Sequence, residues 1–244
     1  MKASDNTSHT PSGCLICGAP LVYTRQMEPV ECVLCHGHFL SNARCENGHY
    51  ICDSCHEKDA LQVIYSFCLH TKQKNPVAIM QELIRFPQIH MHGPEHHVLV
   101  GSALLAACKN CGADFELEPA LLAMRERGSQ VPGGICGQWG SCGAGISAGI
   151  TVSILTEATP LSGREWGLAN QMTARCLSAI GAIGGPRCCK RDSYTALITA
   201  AEFIREHFHI DLEAPESIIC HMSGRNEQCL GASCPYNSQR TGEN

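Results

Sequence analysis

Apolar residues recur along this chain in two different rhythms. Up to about residue 55 they follow no helical period, and cysteines and glycines are the conspicuous positions. Beyond that point the period becomes helical. From His56 to Lys72, the residues Ala60, Val63, Ile64, Phe67 and Cys68 form one stripe, which predicts a helix with a single buried face. Asn75-Pro76 reads as a cap followed by a first-turn proline, opening a helix that runs through Phe86 and closes before Pro87. A third helix is predicted from Pro94 to about Lys109, with Val98, Leu99, Ala103, Leu104, Ala106 and Ala107 as its buried stripe. Glu118–Arg127, Cys142–Leu155, Trp166–Ile180 and Cys188–Phe208 complete the helical set, and no alternating strand pattern appears outside the first quarter.

This predicts a mainly α fold: a small Cys/His module followed by an all-α body. The expected division is a disordered start over 1–13, a zinc-binding module over 14–56, a helical domain over 57–213 and an irregular Cys-containing tail over 214–244. Composition sharpens the picture. Aromatic residues make up 5% and charged residues 17%, so the core must be aliphatic and rich in small residues, which suits closely packed helices. The balance of 18 Lys+Arg against 23 Asp+Glu leaves no basic footprint for nucleic acid. The longest apolar run, Ala144–Leu155, is too short to cross a bilayer. The opening MKASDNTSHTPSG lacks the apolar stretch of a signal peptide.

Cysteine changes the reading most, with 18 residues joined by 13 histidines. Without a signal peptide, paired Cys-x-x-Cys spacings point to metal in a reducing cytoplasm rather than to disulfides. Cys14/Cys17, Cys32/Cys35, Cys45/His49 and Cys52/Cys55 make four ligand pairs, hence two zinc sites. Each ion would contribute on the order of 10 kcal/mol to a segment with almost no core. Spacing leaves two pairings open, sequential ribbons or an interleaved cross-brace. His36, His38 and His56 flank the pairs as substitute ligands.

Three stretches of the body carry further chemistry. His90-Met-His92-Gly-Pro-Glu95-His96-His97 concentrates imidazoles and a carboxylate around a helix start, and His92, Glu95, His96 and His97 are the candidate acid/base groups or ligands of a further metal. The loop PGGICGQWGSCGAG, Pro132–Gly145, holds Cys136 and Cys142 ahead of a helix, but it is neither a phosphate loop nor a dinucleotide fingerprint. Its small residues Ala144, Gly145, Ala148 and Gly149 would admit another helix or a cofactor. In GGPRCCKRDSY, Cys188 and Cys189 stand beside Arg187, Lys190 and Arg191 at a helix N-terminus, which should lower a thiol pKa or bind an anion. The tail adds Cys220, Cys229 and Cys234 as cofactor or zinc ligands, and Cys108/Cys111 forms one more pair. Cys68 and Cys176 read as core residues.

HGPEHH, PGGICGQWGSCGAGISAG and GGPRCCKR, in that order, resemble an uncharacterised family of anaerobic bacteria and methanogenic archaea that sometimes accompanies radical-SAM proteins. The likeness covers roughly 45–236, with CENGHYICDSCH as its N-terminal mark, and implies a radical-SAM partner. SCGAGISAG is also remotely similar to a helical redox family named for a C–GCAxxG–C–C pattern, although this chain reads CGA where that pattern has GCA. That likeness implies one site for Cys136, Cys142, Cys188 and Cys189, holding an iron–sulfur cluster or presenting a reactive thiolate. The expected function is a metal-dependent enzyme of redox or of sulfur or one-carbon group transfer, acting on a small molecule or with a redox partner protein. The alternatives are a zinc-stabilised adaptor and a metal storage or delivery protein.

Overall fold

The computed structural model of the chain describes residues 13–237; apart from Gly13, the start expected to be disordered lies outside the described residues. The first quarter is a two-stranded antiparallel hairpin, β1 (Leu21–Glu31) and β2 (His38–Cys45), with Leu21 opposite Cys45 and Glu31 opposite His38. The register slips between Tyr23 and Glu28. Most of both strands is exposed, so the hairpin has no hydrophobic core to hold it.

Eight helices follow among the described residues: α1 (Asp53–His70), α2 (Pro76–Leu83), α3 (His96–Asn110), α4 (Leu117–Gly128), α5 (Ile135–Gln138), α6 (Gly143–Leu155), α7 (Arg164–Ile183) and α8 (Cys189–Phe208). The mainly helical architecture with its cysteine-rich N-terminal segment is the predicted one. The cap of α2 is also the predicted one, since Asn75 Oδ1 accepts from the N–H groups of Val77 and Ala78 at 3.0 and 3.2 Å. That helix stops at Leu83, earlier than periodicity suggested. Arg85 and Phe86 donate to the carbonyls of Glu82 and Leu83 instead, tightening the chain into a turn ahead of Pro87.

α3 is the centre of the body. Every residue from His96 to Cys108 is buried, because α1, α2, α4, α6 and α8 all pack around it. Leu99, Leu104 and Leu105 lose all exposure, and each such burial stabilises the fold by roughly 2 kcal/mol. α7 lies outside, against α6 and α8. Small residues make the α6–α7 contact: a Cβ at Gly149 would collide with Thr173 Oγ1 and come within 2.9 Å of the Ala169 carbonyl. After α8 the tail returns over that helix. Cys220 N donates to Tyr236 O at 2.7 Å, and Tyr236 lies edge-on to Tyr194 with its hydroxyl 3.0 Å from Thr195 Oγ1. Among the described residues no helix is long and apolar enough to cross a membrane.

Close helix approach at Gly149 gives a direct expectation. Gly149→Ala should lower unfolding stability by about 1–3 kcal/mol, whereas Gly167→Ala, with open space around its Cα, should be neutral or gain up to about 1 kcal/mol. Paired chemical denaturation curves measure both.

Candidate metal centres

The hairpin explains how eight ligands sort themselves. Cys32 and Cys35 sit in the turn beyond β1, while Cys45 at the end of β2 is carried back beside Cys14 and Cys17. The chain then returns along the hairpin, Val33 N donating to Tyr50 O at 3.0 Å, and delivers Cys52 and Cys55 to the turn. Two groups result: Cys14, Cys17, Cys45 and His49 at one end, and Cys32, Cys35, Cys52 and Cys55 at the other. The pairing is therefore interleaved.

Distances within the groups suit an ion at each centre. Cys17 Sγ lies 3.9 Å from Cys45 Sγ, Cys35 Sγ 3.8 Å from Cys52 Sγ, and Cys14 Sγ 3.8 Å from His49 Nδ1. Disulfide sulfurs would be about 2 Å apart. Thiolates about 2.3 Å from one tetrahedral ion stand about 3.8 Å from each other. Backbone N–H groups of Ile16, His49 and Cys52 donate to Cys14, Cys45 and Cys32 sulfurs at 3.3–3.4 Å. The backbone at Ala19, with Asn47 and His49, draws the Cys17 thiol down to about 6. Burial opposes ionisation of Cys32, yet N–H groups of Cys52, Cys35 and Leu34 bring it to about 6 as well. In the same groups burial raises Cys14 and Cys52, and the neighbouring Cys52 pushes Cys55 up to about 12, so metal uptake still has protons to displace.

A second cysteine constellation closes where the tail crosses α8. Cys188, Cys220, Cys229 and Cys234 line one cavity with Met91, Met222 and Tyr236. Amide donors point at three of these sulfurs: Arg191 N and Asn226 Nδ2 to Cys188 at 3.5 Å, Met222 N to Cys220 and Gly231 N to Cys229 at 3.4 Å. These thiols are not among the described groups whose ligand atoms lie within 4.8 Å of one another, so they are spread more widely than the module thiols. Cys188 caps α8, while its neighbour Cys189 turns the other way, toward Gly93 and Glu95. The lowered thiol pKa expected from the adjacent cations does not arise. Burial outweighs them, raising Cys188 and pushing Cys189 up to about 12.

The HGPEHH residues separate. His92 Nε2 meets Asn226 Oδ1 at 3.2 Å, placing it behind Cys188, and burial brings its pKa down to about 4. His96 Nδ1 donates to Gly93 O at 3.0 Å, which leaves Nε2 to accept from Lys190 Nζ at 2.8 Å. Lys190 is fully buried, and burial lowers its pKa to about 8; it also donates to His90 O at 2.6 Å. His97 Nδ1 donates to Val131 O at 2.8 Å, and its ring lies where a Cβ on Gly143 would have to go. Glu95 stands with ligand-type atoms of His56 and His90, and His96 Nδ1 lies 3.5 Å from its Oε1 while donating to Gly93 O.

The remaining candidates occupy other places. Cys142 Sγ lies 3.9 Å from Asp192 Oδ2, the atom that Cys188 N also approaches at 3.4 Å, and Cys136 is half-buried on α5. Cys142 and Cys188 therefore meet at one carboxylate without forming a ligand group. Arg187 stacks its guanidinium 5.5 Å over the Tyr23 ring, tying the hairpin to the body. Cys68 and Cys176 are fully buried in the core, as their helical positions predicted. The grouping of His56 and His90 with Glu95 was beyond sequence reasoning, as was the part of Asn226. His90 and Glu95 are five residues apart, but His56 lies 34 and 39 residues before them, and Asn226 lies 38 and 134 residues from Cys188 and His92.

Comparison with known proteins adds one relationship. Residues 64–237 match the profile of a family of unknown function (DUF5714). No curated protein and no solved structure matches the chain.

Metal removal tests the interleaving. A strong chelator should melt the hairpin while helical dichroism of the body persists. Cys32→Ser should release one of two module ions and raise amide exchange at both ends of β1 and β2, because each end is tied through the other. Metal counting with hydrogen-exchange mass spectrometry reads both.

Proposed function

Because the chain belongs to this family of unknown function, its role has to be argued from its own residues, and we propose that it is a metal-dependent redox protein of the reducing cytoplasm. In this reading two zinc ions staple the hairpin module, and Cys188, Cys220, Cys229 and Cys234 hold an iron–sulfur cluster. The supporting observation is the cavity on which these four cysteines converge, with N–H donors on three of the sulfurs and the cations Lys190 and Arg191 on the adjoining turn.

The donor set suits a thiolate-bound metal group, a cluster in this reading as a single ion in the module. Four thiolates are the usual cluster ligands, and N–H···S bonds in a dry setting are among the protein's means of tuning its potential. These thiols stand further apart than the 3.8–3.9 Å of the module, around a space of ≈ 20 Å³, so a cluster has to draw the tail segment outward as it is taken up. Burial raises the Cys188 and Cys220 thiols, which therefore stay protonated until a metal group displaces their protons. A bound cluster supplies one-electron chemistry. The chain's own contribution is to exclude water with Met91, Met222 and Tyr236 and to hold Cys188 through Asn226 and His92.

A second reading, a zinc-stabilised adaptor, has one observation of its own: the hairpin exposes Val22, Tyr23 and Leu40, the last 66% accessible. Under the redox reading the same surface would meet an electron-exchange partner.

Protein purified without oxygen should carry iron and acid-labile sulfide in equal amounts and absorb broadly in the visible. Cys220→Ser and Cys229→Ser should each lose most of both while keeping the module zinc. Wild-type protein with zinc alone, and no sulfide after anaerobic reconstitution, would sink the redox reading in favour of the adaptor.

A further inference from the structure

A third set of ligand-type atoms lies outside both the module and the cysteine cavity. His56 opens the second turn of α1, His90 lies in the loop after α2, and Glu95 immediately precedes α3. Their ligand atoms fall within 4.8 Å of one another. Glu95 has no exposure at all, yet its Oε2 has no hydrogen-bond partner, and neither has His56 Nδ1 or His90 Nδ1. Three buried lone-pair atoms left unsatisfied around one point need an explanation, since each costs about 1–3 kcal/mol if nothing meets it.

An ordinary ion pair does not supply that explanation. His56 Nδ1 stands 3.6 Å from Glu95 Oε2, and His90 Nδ1 stands 3.6 Å from Oε1. Both separations are too long for hydrogen bonds. Nitrogen and oxygen ligands about 2.0–2.2 Å from a shared tetrahedral ion are about 3.4 Å apart. The surrounding chain fixes the carboxylate in this pose. Oε1 accepts from His90 N at 3.0 Å, and a Cβ on Gly93 would collide with the carboxyl group. Lys190 holds the His90 carbonyl from behind, in the outer-shell position that orients ligands in metal sites.

The three ligand atoms are enclosed, while the outer edges of the two imidazoles remain partly exposed. His56 and His90 form part of the wall of a cleft of ≈ 300 Å³ between the module and the body, with Leu15, Leu34 and Ile51 on the module side and Gln88 on the other. Gln88 Oε1 is likewise buried without a partner.

We propose that His56, His90 and Glu95 bind one divalent transition-metal ion whose remaining coordination positions face this cleft. Two imidazoles and a carboxylate with open positions suit zinc acting as a Lewis acid and ferrous iron alike. The ligand it would take is a small molecule that offers an oxygen donor to the ion, a hydrogen-bond donor to Gln88 and an apolar arm to Leu15, Leu34 and Ile51. The site is independent of the cluster assignment.

The test uses the full chain, made metal-free at the labile site and titrated without oxygen with Co²⁺ or Zn²⁺, iron and sulfide being counted separately. Wild-type protein should bind one equivalent beyond the two held by the module. With cobalt, that equivalent should show ligand-field bands without added sulfur-to-metal charge transfer. Glu95→Gln and His90→Ala should weaken it by more than about 100-fold while the two thiolate-bound ions remain. Circular dichroism checks that each variant is folded, and either folded variant suffices. Cys220→Ser should keep the extra equivalent, so loss of the cluster and loss of this site are read apart. Saturation at two equivalents in wild type, or a third equivalent retained in folded Glu95→Gln or His90→Ala, would overturn the proposal.

Discussion

A carboxylate removed from water must be met by donors or positive charge, or it will not stay ionised. Glu95 imposes that condition on the middle of this protein. It has no exposure; the His90 backbone N–H reaches its Oε1 at 3.0 Å, and the His56 and His90 rings face its two oxygens at 3.6 Å. One layer behind, an equally buried ammonium, Lys190, is spent on the His90 carbonyl and on His96. The start of α1, the loop before α3 and the first turn of α8 are thereby fastened to one point. These three segments come from distant parts of the chain, and their meeting is what brings the module, the core helix and the cysteine-bearing helix into one body.

The same arrangement sets two centres back to back. The loop divides between the two sides, His90 toward the cleft and Met91 and His92 toward the cysteine cavity. Successive residues of α8 do likewise, with Cys188 lining the cavity and Cys189 turned to Glu95. Under the two assignments proposed, this shared wall would place an electron-carrying group beside a Lewis-acidic one.

How much of this was legible in the sequence depends on the range of the interaction that decides it. Local rules gave the helices nearly in place, the Asn75 cap, the eight module ligands and the core assignment of Cys68 and Cys176. Spacing was silent on which ligand pairs join, because a hairpin some ten residues long per strand settles that by carrying Cys45 back to Cys17. Density of histidines singled out His90–His97, of which His90 and Glu95 stand with His56 while the others turn elsewhere, since neighbours on a helix start diverge. The glycines of the Cys142–Gly149 stretch answer to packing: Gly143 to the His97 ring, Gly145 to Leu177, Gly149 to Thr173. The thiol acidity expected at α8 failed because proximity to cations was visible in sequence and burial was not.

Cys55 and His56 are consecutive residues, one a ligand of the module and the other part of the cleft group. The backbone torsions that seat the Cys55 sulfur on its ion therefore also aim the next imidazole. An empty module leaves that aim undetermined, even though every ligand of the cleft group is chemically intact. If both groups bind metal as proposed, loading would follow an order, the cleft group taking shape once the hairpin is filled, and the supply of the first metal would act as a checkpoint on the second.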